Sequence, residues 1–288
     1  MLTVYLIHRN QPQHCAGSIA AFGNQTTPVR VRVIDNGSTP AALGHLRAAA
    51  PGVEIIEAGA NLGFGPGANL AFRHWLGAAD GEWVAVAPHD ALPDTDCVAR
   101  LLVAARQRPR AGLVSAEFGP GFDMVPAMDK VLGGFYRPAR RGQGWQSVDY
   151  PHGTLLAVRR RVLEEVGMFD ERFFAYCEEV DLALRARRAG WEVGMVWGAV
   201  VTNSRLPSRP VADYLQVRNT LLLVRESSGS YFAGWRVALA ACHIGIKALR
   251  DPRRAPIHLR LEGRAIADFL RGRYGPPPVS VLSLDQSS

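Results

Sequence analysis

Three short runs place acids where they could do chemistry. The apolar run Trp83-Val-Ala-Val-Ala passes directly into Pro88-His-Asp-Ala-Leu-Pro-Asp, so Asp90 stands just beyond the end of a buried strand. A carboxylate there can hold Mg²⁺ or Mn²⁺ against a diphosphate, because these hard cations take oxygen ligands and leave positions for substrate phosphates. Asp90 and Asp94 would also suit the cap of a following helix. A second strand, Val31-Arg-Val-Ile, ends on Asp35 and turns through Asn-Gly-Ser. Ligands of open α/β sheets bind beyond the carboxyl ends of the strands, so Asp35 can accept hydrogen bonds from a base or a ribose; Asp-Asn-Gly-Ser is equally a good turn. Further on, Glu178, Glu179 and Asp181 crowd the first turn of a helix. Acids there suit the helix dipole, and one of them could serve as general base for an acceptor hydroxyl.

Between the first two runs lies Asn61-Leu-Gly-Phe-Gly-Pro-Gly-Ala-Asn, which follows a strand and opens a helix. Gly63, Gly65 and Ala68 fit the loose pattern G-x-G-x-x-A, which raises a nicotinamide-dependent Rossmann oxidoreductase as an alternative. That fingerprint follows the first strand and needs an acid at the end of the next one. Here two strands precede the loop, and Asp80 comes before the following strand. A glycine-rich turn at a helix N-terminus can still present backbone N–H groups to a phosphate or base.

These runs need a scaffold. Strands are expected at Thr3–His8, Val29–Ile34, Val53–Glu57, Trp83–Ala87 and Gly112–Ser115. Helices are expected near Cys15–Phe22, Ala41–Ala49, Gly67–Leu76 and Thr95–Gln107. The alternation implies an α/β fold with a mostly parallel central sheet. From Glu117 to Tyr150 no period is visible, which reads as loop or a short hairpin. A strand at Thr154–Val158, a helix at Arg160–Val166 and a second helix at Glu178–Ala189 follow, and from Asp213 the pattern is helical. The division expected is a catalytic domain over 1–205, split near 115 into nucleotide and acceptor halves, a helical extension over 206–275, and a flexible tail over 276–288.

With 288 residues, 48% of them hydrophobic, the chain can bury a sizeable core. Its four cysteines have neither paired nor zinc-finger spacing, which favours the cytoplasm over a disulfide-stapled secreted protein. The N-terminus reads as a first strand and not as a leader, and no uninterrupted apolar run reaches the ~18 residues of a membrane span, so the expectation is a soluble or peripheral protein. The net charge of +7 is unevenly spread. Residues 1–204 carry 20 Lys and Arg against 20 Asp and Glu, and residues 205–288 carry 13 against 6. The basic tail is expected to rest on an anionic membrane surface, or else to pack its apolar stripe on the catalytic domain or on a second copy of the chain; nucleic acid is not expected as a partner.

The stretch Gly167-Met-Phe-Asp-Glu-Arg-Phe-Phe-Ala-Tyr-Cys-Glu-Glu-Val-Asp-Leu-Ala-Leu-Arg-Ala-Arg-Arg-Ala-Gly-Trp resembles the G-x-F-D-E-x-F-F-x-Y-x-E-D-x-D-L-x-x-R-x-x-x-x-G-W of family-2 glycosyltransferases, in particular the rhamnosyltransferase-like branch. Val-Ile-Asp35-Asn-Gly-Ser is similar to that family's nucleotide-binding turn, Asn61-Leu-Gly-Phe-Gly to its N-x-G-F loop, and Tyr214-Leu-Gln-Val-Arg-Asn219 to a late Arg-Asn motif. The resemblance spans roughly residues 1–275. It implies a GT-A fold and an inverting transfer from a nucleoside-diphosphate sugar, dTDP- or UDP-linked, to a hydroxyl of a glycan, a lipid-linked glycan or a small molecule. Asp35, Asn61, Gly63 and Gly65 would hold the nucleotide, Asp90 a divalent cation, Glu179 or Asp181 the acceptor proton, and His152, Phe174 and Tyr176 the acceptor. A catalytically inactive nucleotide-sugar-binding or scaffold protein is the other alternative. The chain departs from the family at three points. Pro88 takes the first position of the usual D-x-D, Glu179 replaces the Asp of the E-D pair, and Val201-Thr-Asn203 stands where a His is common.

Overall fold

The computed structural model of the chain describes residues 1–78, 81–119, 123–129, 131, 134–203, 209–253 and 255–282, except for the side chains of Arg209 and His258. Asp80, Arg254, the expected junction at 205–206 and residues 283–288 lie outside them. In chain order the elements are β1 (Leu2–His8), α1 (Pro12–Gly23), β2 (Val29–Asp35), α2 (Pro40–Ala49), β3 (Glu54–Glu57), α3 (Phe64–Gly77), β4 (Trp83–Pro88), β5 (Ala91–Pro93), α4 (Cys97–Arg106) and β6 (Ala111–Phe118). There follow β7 (Met124–Pro126), β8 (Tyr136–Pro138), β9 (Gly144–Ser147), β10 (Leu156–Arg159), α5 (Arg160–Glu165), α6 (Glu178–Arg188) and β11 (Glu192–Asn203). The chain then runs through α7 (Arg209–Ser228), α8 (Ser230–Arg250), α9 (Ala255–Leu270) and α10 (Val279–Leu282).

The sheet order is β3-β2-β1-β4-β10-β6-β11-β5, with β9 added on β11. β1 to β4 pair in parallel, as does β6 with β11, while β10, β5 and β9 run antiparallel to their neighbours. The period of two along β1 sends alternate side chains to opposite faces. Tyr5 and Ile7 join Phe72 and Trp75 of α3 and Val180 and Leu182 of α6 in one core, while Leu2, Val4 and Leu6 join Cys15 and Phe22 of α1 and Leu101 of α4 in the other. Burial on both faces explains why β1 and β4 read as nearly continuous apolar runs.

The aperiodic stretch 117–150 holds the β7–β8 hairpin, one of the two readings the sequence left open, and also β9, which joins the main sheet on β11. The C-terminal helices are joined to the catalytic part: Leu221, Leu222 and Leu223 of α7 belong to the main core, and Phe174 is buried with Tyr214, Leu215, Leu261, Ala265 and Val281. Val281 lies in α10, so residues 279–282 are folded and not tail. Finally, α8 is long and apolar enough, by length and composition alone, to cross a membrane. Scanning for an uninterrupted run overlooked it, because Arg236, Lys247 and Arg250 punctuate the helix without outweighing its apolar residues.

Candidate active site

The carboxyl ends of β1, β2 and β4 bring together His8, Asp35 and Asp90. His8 and Asp35 are register partners of the parallel β1–β2 pair, and strand alternation points both to the α1 face. The fully buried His8 ring places Nδ1 3.0 Å from Asp35 Oδ1, and its Nε2 accepts the Gln11 N–H at 3.2 Å. Nδ1 is therefore the protonated nitrogen, and it donates to the carboxylate. Burial lowers the His8 pKa against the pull of Asp35, which keeps the ring neutral. The Ser38 N–H donates to the other Asp35 oxygen at 3.1 Å. Asp35 thus faces, with orientation fixed, a cleft of about 270 Å³ lined also by Gly37, Ser38, Leu43, Arg47 and Glu57. A larger groove of about 500 Å³, between Arg100, Arg141, Trp145 and Trp197, contains none of the expected site residues.

Asp90 is buried two residues past β4, and the His89 between them packs edge to face with the His8 ring, centroids 5.6 Å apart. The long strand β11 ends beside it: Asn203 pairs with Ala91 in register and donates from Nδ2 to Asp90 Oδ1 at 2.8 Å. That bond fixes the amide's orientation and leaves Asn203 Oδ1 shielded from solvent with no hydrogen-bond partner among the described residues. Among the described residues no three His, Cys, Asp or Glu side chains converge as a metal site. The Asp90 carboxylate, with the Asn203 side chain hydrogen-bonded beside it, brings hard oxygen donors to this strand end, the donor type of a cation site completed by substrate phosphates.

The glycine loop and the aromatic segment before α6 hold each other. Asn36 clasps the loop as a peptide group would, donating to the Gly63 carbonyl at 2.9 Å and accepting the Leu62 N–H at 2.9 Å. Asn61 accepts the Gly63 N–H at 3.1 Å, so its amide shapes its own loop. Gly63 has φ +91° and lies against the Phe174 ring and carbonyl, where any Cβ would overlap them. Gly65 donates its N–H to the Phe174 carbonyl at 3.1 Å and lies against the Glu178 stem. The glycines of the G-x-G-x-x-A pattern are thus used for packing against α6, which removes the basis of the oxidoreductase alternative.

The segment facing this loop is strained. Phe174, Tyr176 and Cys177 take φ values of +64°, +68° and +74°, a region that costs non-glycine residues ~1–3 kcal/mol each unless their surroundings enforce it. The enforcement comes from α7. The two N–H groups of the buried Asn219 amide are shared among the carbonyls of Phe173, Ala175 and Tyr176, all within 2.7–2.9 Å of Nδ2, and Arg218 holds the Asn219 oxygen at 3.0 Å. Asn219→Ala should therefore destabilise the fold by roughly 2–4 kcal/mol, since it strands several buried carbonyls. Asn219→Asp, which turns a carboxylate on the same carbonyls, should be worse. Urea unfolding of the two variants checks both the size and the order.

That strained turn delivers α6, whose first turn carries the three acids. Glu178 is 4% exposed, and its Oε2 has no hydrogen-bond partner; burial, and then the charge of Glu179, hold its pKa well above the carboxylate range. Glu179 keeps some exposed surface, yet burial pushes its pKa up to about 7 against the backbone N–H groups that favour its charge. It faces an aromatic row in which Tyr136 lies 6.3 Å from Tyr150 and 6.2 Å from His152. Tyr136 keeps 37% of its surface exposed, yet burial of its phenol and then the Glu179 charge raise it to about 12; burial, then Tyr136 and Glu179, raise the Tyr150 phenol further.

His152 stacks on Phe118 at 5.0 Å, and burial pushes it down to about 4, so it is a neutral ring. Asp181 is paired elsewhere. Arg185 bridges it at 2.8 Å and spans to the carbonyls of Val166 and Met168. Phe174 is buried between Gly63 and the side chains of α7 and α9, and Tyr176 borders the same cluster. The structure thus gathers Asp35, Asp90 and the Asn61–Gly65 loop on one side and Glu179 with His152 on the other. Sequence reasoning missed His8, Asn36, Tyr136 and Tyr150. A signal existed only for His8 and Asn36, which adjoin strand ends.

Residues 3–167 match the sequence profile described as Glycosyl transferase family 2. The N-acetylglucosaminyl-diphospho-decaprenol L-rhamnosyltransferase of Mycobacterium tuberculosis is 30% identical over 285 residues, which cover 86% of this chain and 90% of that protein. The low-salt glycan biosynthesis hexosyltransferase Agl10 of Haloferax volcanii is 27% identical over 49% of this chain and 48% of its own length. Among solved structures, the mannosyltransferase PcManGT from Pyrobaculum calidifontis, in complex with GDP-Man and Mn²⁺, superposes with a TM-score of 0.59 at 19% identity, over 93% of this chain and 86% of that one. GalNAc-T7, with UDP, GalNAc and Mn²⁺, superposes with a TM-score of 0.61 at 13% identity, over 78% and 47%. The strand ends, the glycine loop and the acidic helix described above are thus parts of a GT-A fold, and the chain belongs to glycosyl transferase family 2 and is a glycosyltransferase.

Proposed function

We propose that the chain moves a hexose, rhamnose first among the candidates, from a dTDP- or UDP-linked donor to a hydroxyl of a lipid-linked glycan, with inversion at the anomeric carbon. The observation that carries this reading is the Glu179 carboxylate, raised to about 7 at the start of a helix that packs on the nucleotide-side loop. A base with that pKa is half deprotonated near neutrality and still basic enough to take a hydroxyl proton. The sugar and acceptor class come from the mycobacterial relative, whose name specifies an L-rhamnosyl transfer to a diphospho-decaprenol-linked N-acetylglucosamine.

Asp35, oriented by His8 and Ser38, receives the nucleoside, and the Asn61–Gly65 loop, held by Asn36, borders it. Asp90 and the Asn203 amide oxygen would hold a divalent cation, Mg²⁺ or Mn²⁺, which when bound offsets negative charge on the leaving diphosphate. Glu179 takes the proton of the acceptor hydroxyl as its oxygen attacks the anomeric carbon from the face opposite the diphosphate. The bond to the diphosphate breaks in the same step, so one base suffices and no enzyme nucleophile is used. His152, Tyr136 and Tyr176 border the acceptor side. The protein works in the cytoplasm, at the periphery of the membrane that carries its acceptor.

The test is a donor screen. A donor at ~100 times its Kd adds about 2.7 kcal/mol, so dTDP- or UDP-sugars with Mn²⁺ or Mg²⁺ should raise Tm by roughly 5–10 °C. NMR of the transferred sugar should show the anomer opposite to that of the donor. Retained configuration would remove the single displacement, and a nicotinamide dinucleotide as the only stabilising ligand would remove the transferase reading.

A further inference from the structure

We infer that α8 is an in-plane membrane anchor, lying flat on an anionic lipid surface with one face in the interface and the other on the enzyme. The proposal rests on the transferase reading only for its choice of a lipid-linked acceptor as the reason to be at a membrane. The observation is a stripe. Tyr231, Trp235, Ala238, Cys242, Ile246 and Leu249 recur at spacings of three and four residues, all are exposed, and none is charged. Tyr231 is 86% exposed, Trp235 49% and Leu249 82%. The stripe therefore runs the 21-residue length of the helix, about 30 Å at 1.5 Å per residue.

The opposite face is committed to the protein. Ala233 and Ile244 are buried, Lys247 pairs with Glu262 of α9 at 2.9 Å, and Arg236 donates to the Val131 carbonyl at 3.3 Å. A spanning helix would have to lift both charges off these partners and carry them into hydrocarbon, so the helix that spans by length and composition lies flat by its contacts.

Two further observations select a lipid surface as occupant. Exposed Arg250 and Arg253 follow the stripe's last residue, Leu249, and exposed Arg260 stands beside exposed Ile257 and Leu259 in α9, so positive charge lies at that end of the apolar face, as an anionic leaflet requires. On its protein-facing side α8 meets the β7–β8 connection, where Arg236 donates to the Val131 carbonyl, and the strand that follows carries Tyr136, whose phenol feels the Glu179 charge. The helix therefore stands between the lipid surface and the hairpin on the acceptor side.

Cys242 offers a direct probe, since it lies in the stripe and is the exposed cysteine while Cys15, Cys97 and Cys177 are buried. The full chain should float with phosphatidylcholine vesicles containing about one third phosphatidylglycerol at low salt, stay behind with phosphatidylcholine alone, and be released near ~0.5 M salt. A solvatochromic dye on Cys242 should shift to the blue with the anionic vesicles only. Arg250→Glu and Arg253→Glu should each weaken binding about five-fold or more. Trp235→Glu combined with Leu249→Glu should abolish flotation, with Tm and release of nucleoside diphosphate in lipid-free buffer unchanged.

A folded chain that does not float with anionic vesicles at low salt overturns the proposal. So does a dye shift that arises without lipid and grows with protein concentration, which would show a second copy covering the stripe. Lipid-free donor turnover reports the transferase chemistry separately, so its failure beside intact flotation strikes that chemistry and leaves the anchor standing.

Discussion

Glu179→Gln should lower kcat by ~10²–10⁴, the usual cost of losing a general base, while donor KM and Tm stay close to the parent values. Gln keeps the size and the polar atoms of the side chain and loses only the ability to take a proton. The parent pH profile carries the sign. A base must be deprotonated to act, and burial holds Glu179 at about 7, so kcat/KM should fall as pH drops through 7 and level off above it. The Gln variant should lose that acid limb. Asp181→Asn is the control. Because Asp181 is committed to Arg185, its loss should lower Tm and leave the acid limb in place. If Asp181→Asn removes the limb and Glu179→Gln keeps it, the base has been assigned two residues too early.

The second large effect is expected at Asp90. Asp90→Asn keeps an oxygen near Asn203 but removes the negative charge, and the proposed cation then has two neutral amides for protein ligands. Turnover should fall by at least ~10², with the metal concentration for half-maximal rate raised by a similar factor and partial recovery at millimolar Mn²⁺. Titrating the rate with Mn²⁺ in both proteins measures this. An Asp90→Asn enzyme of parental rate and unchanged Mn²⁺ response would remove the cation from Asp90.

The parts of this protein fixed by periodicity were legible. β1 to β4 and their helices lie where alternating and helical spacing put them, within a few residues, and Asp35 and Asp90 stand at strand ends as that pattern requires. Strand direction was not legible. Nothing local in Leu156–Arg159 says that it runs antiparallel between β4 and β6, since direction follows from the path of the chain that precedes it. α3 begins at Phe64 and not at Gly67, because Gly63 can take φ +91° and Pro66 is tolerated in a first turn. At the site, acids were readable by type and place, but their division of labour was not. Asp181 and Glu179 are two residues apart in one helical turn, and only the position of Arg185 against the Val166 and Met168 carbonyls shows which one is engaged. Tyr136 feels the Glu179 charge from a hairpin with no periodic signal, so its part depends wholly on tertiary structure.

Recombining such enzymes to change specificity would naturally exchange everything after β11, on the view that the nucleotide-binding part is a module. The Asn219 clasp argues against that cut. The amide from α7 and the carbonyls of Phe173, Ala175 and Tyr176 form one lock with its halves on either side of the crossover. A foreign helix lacking the amide would release the left-handed turn and let the start of α6, with Glu179 on it, drift from the glycine loop. Inheritance of the two pieces is therefore coupled, and working chimeras should be those whose donor for the C-terminal helices also supplies residues 173–177.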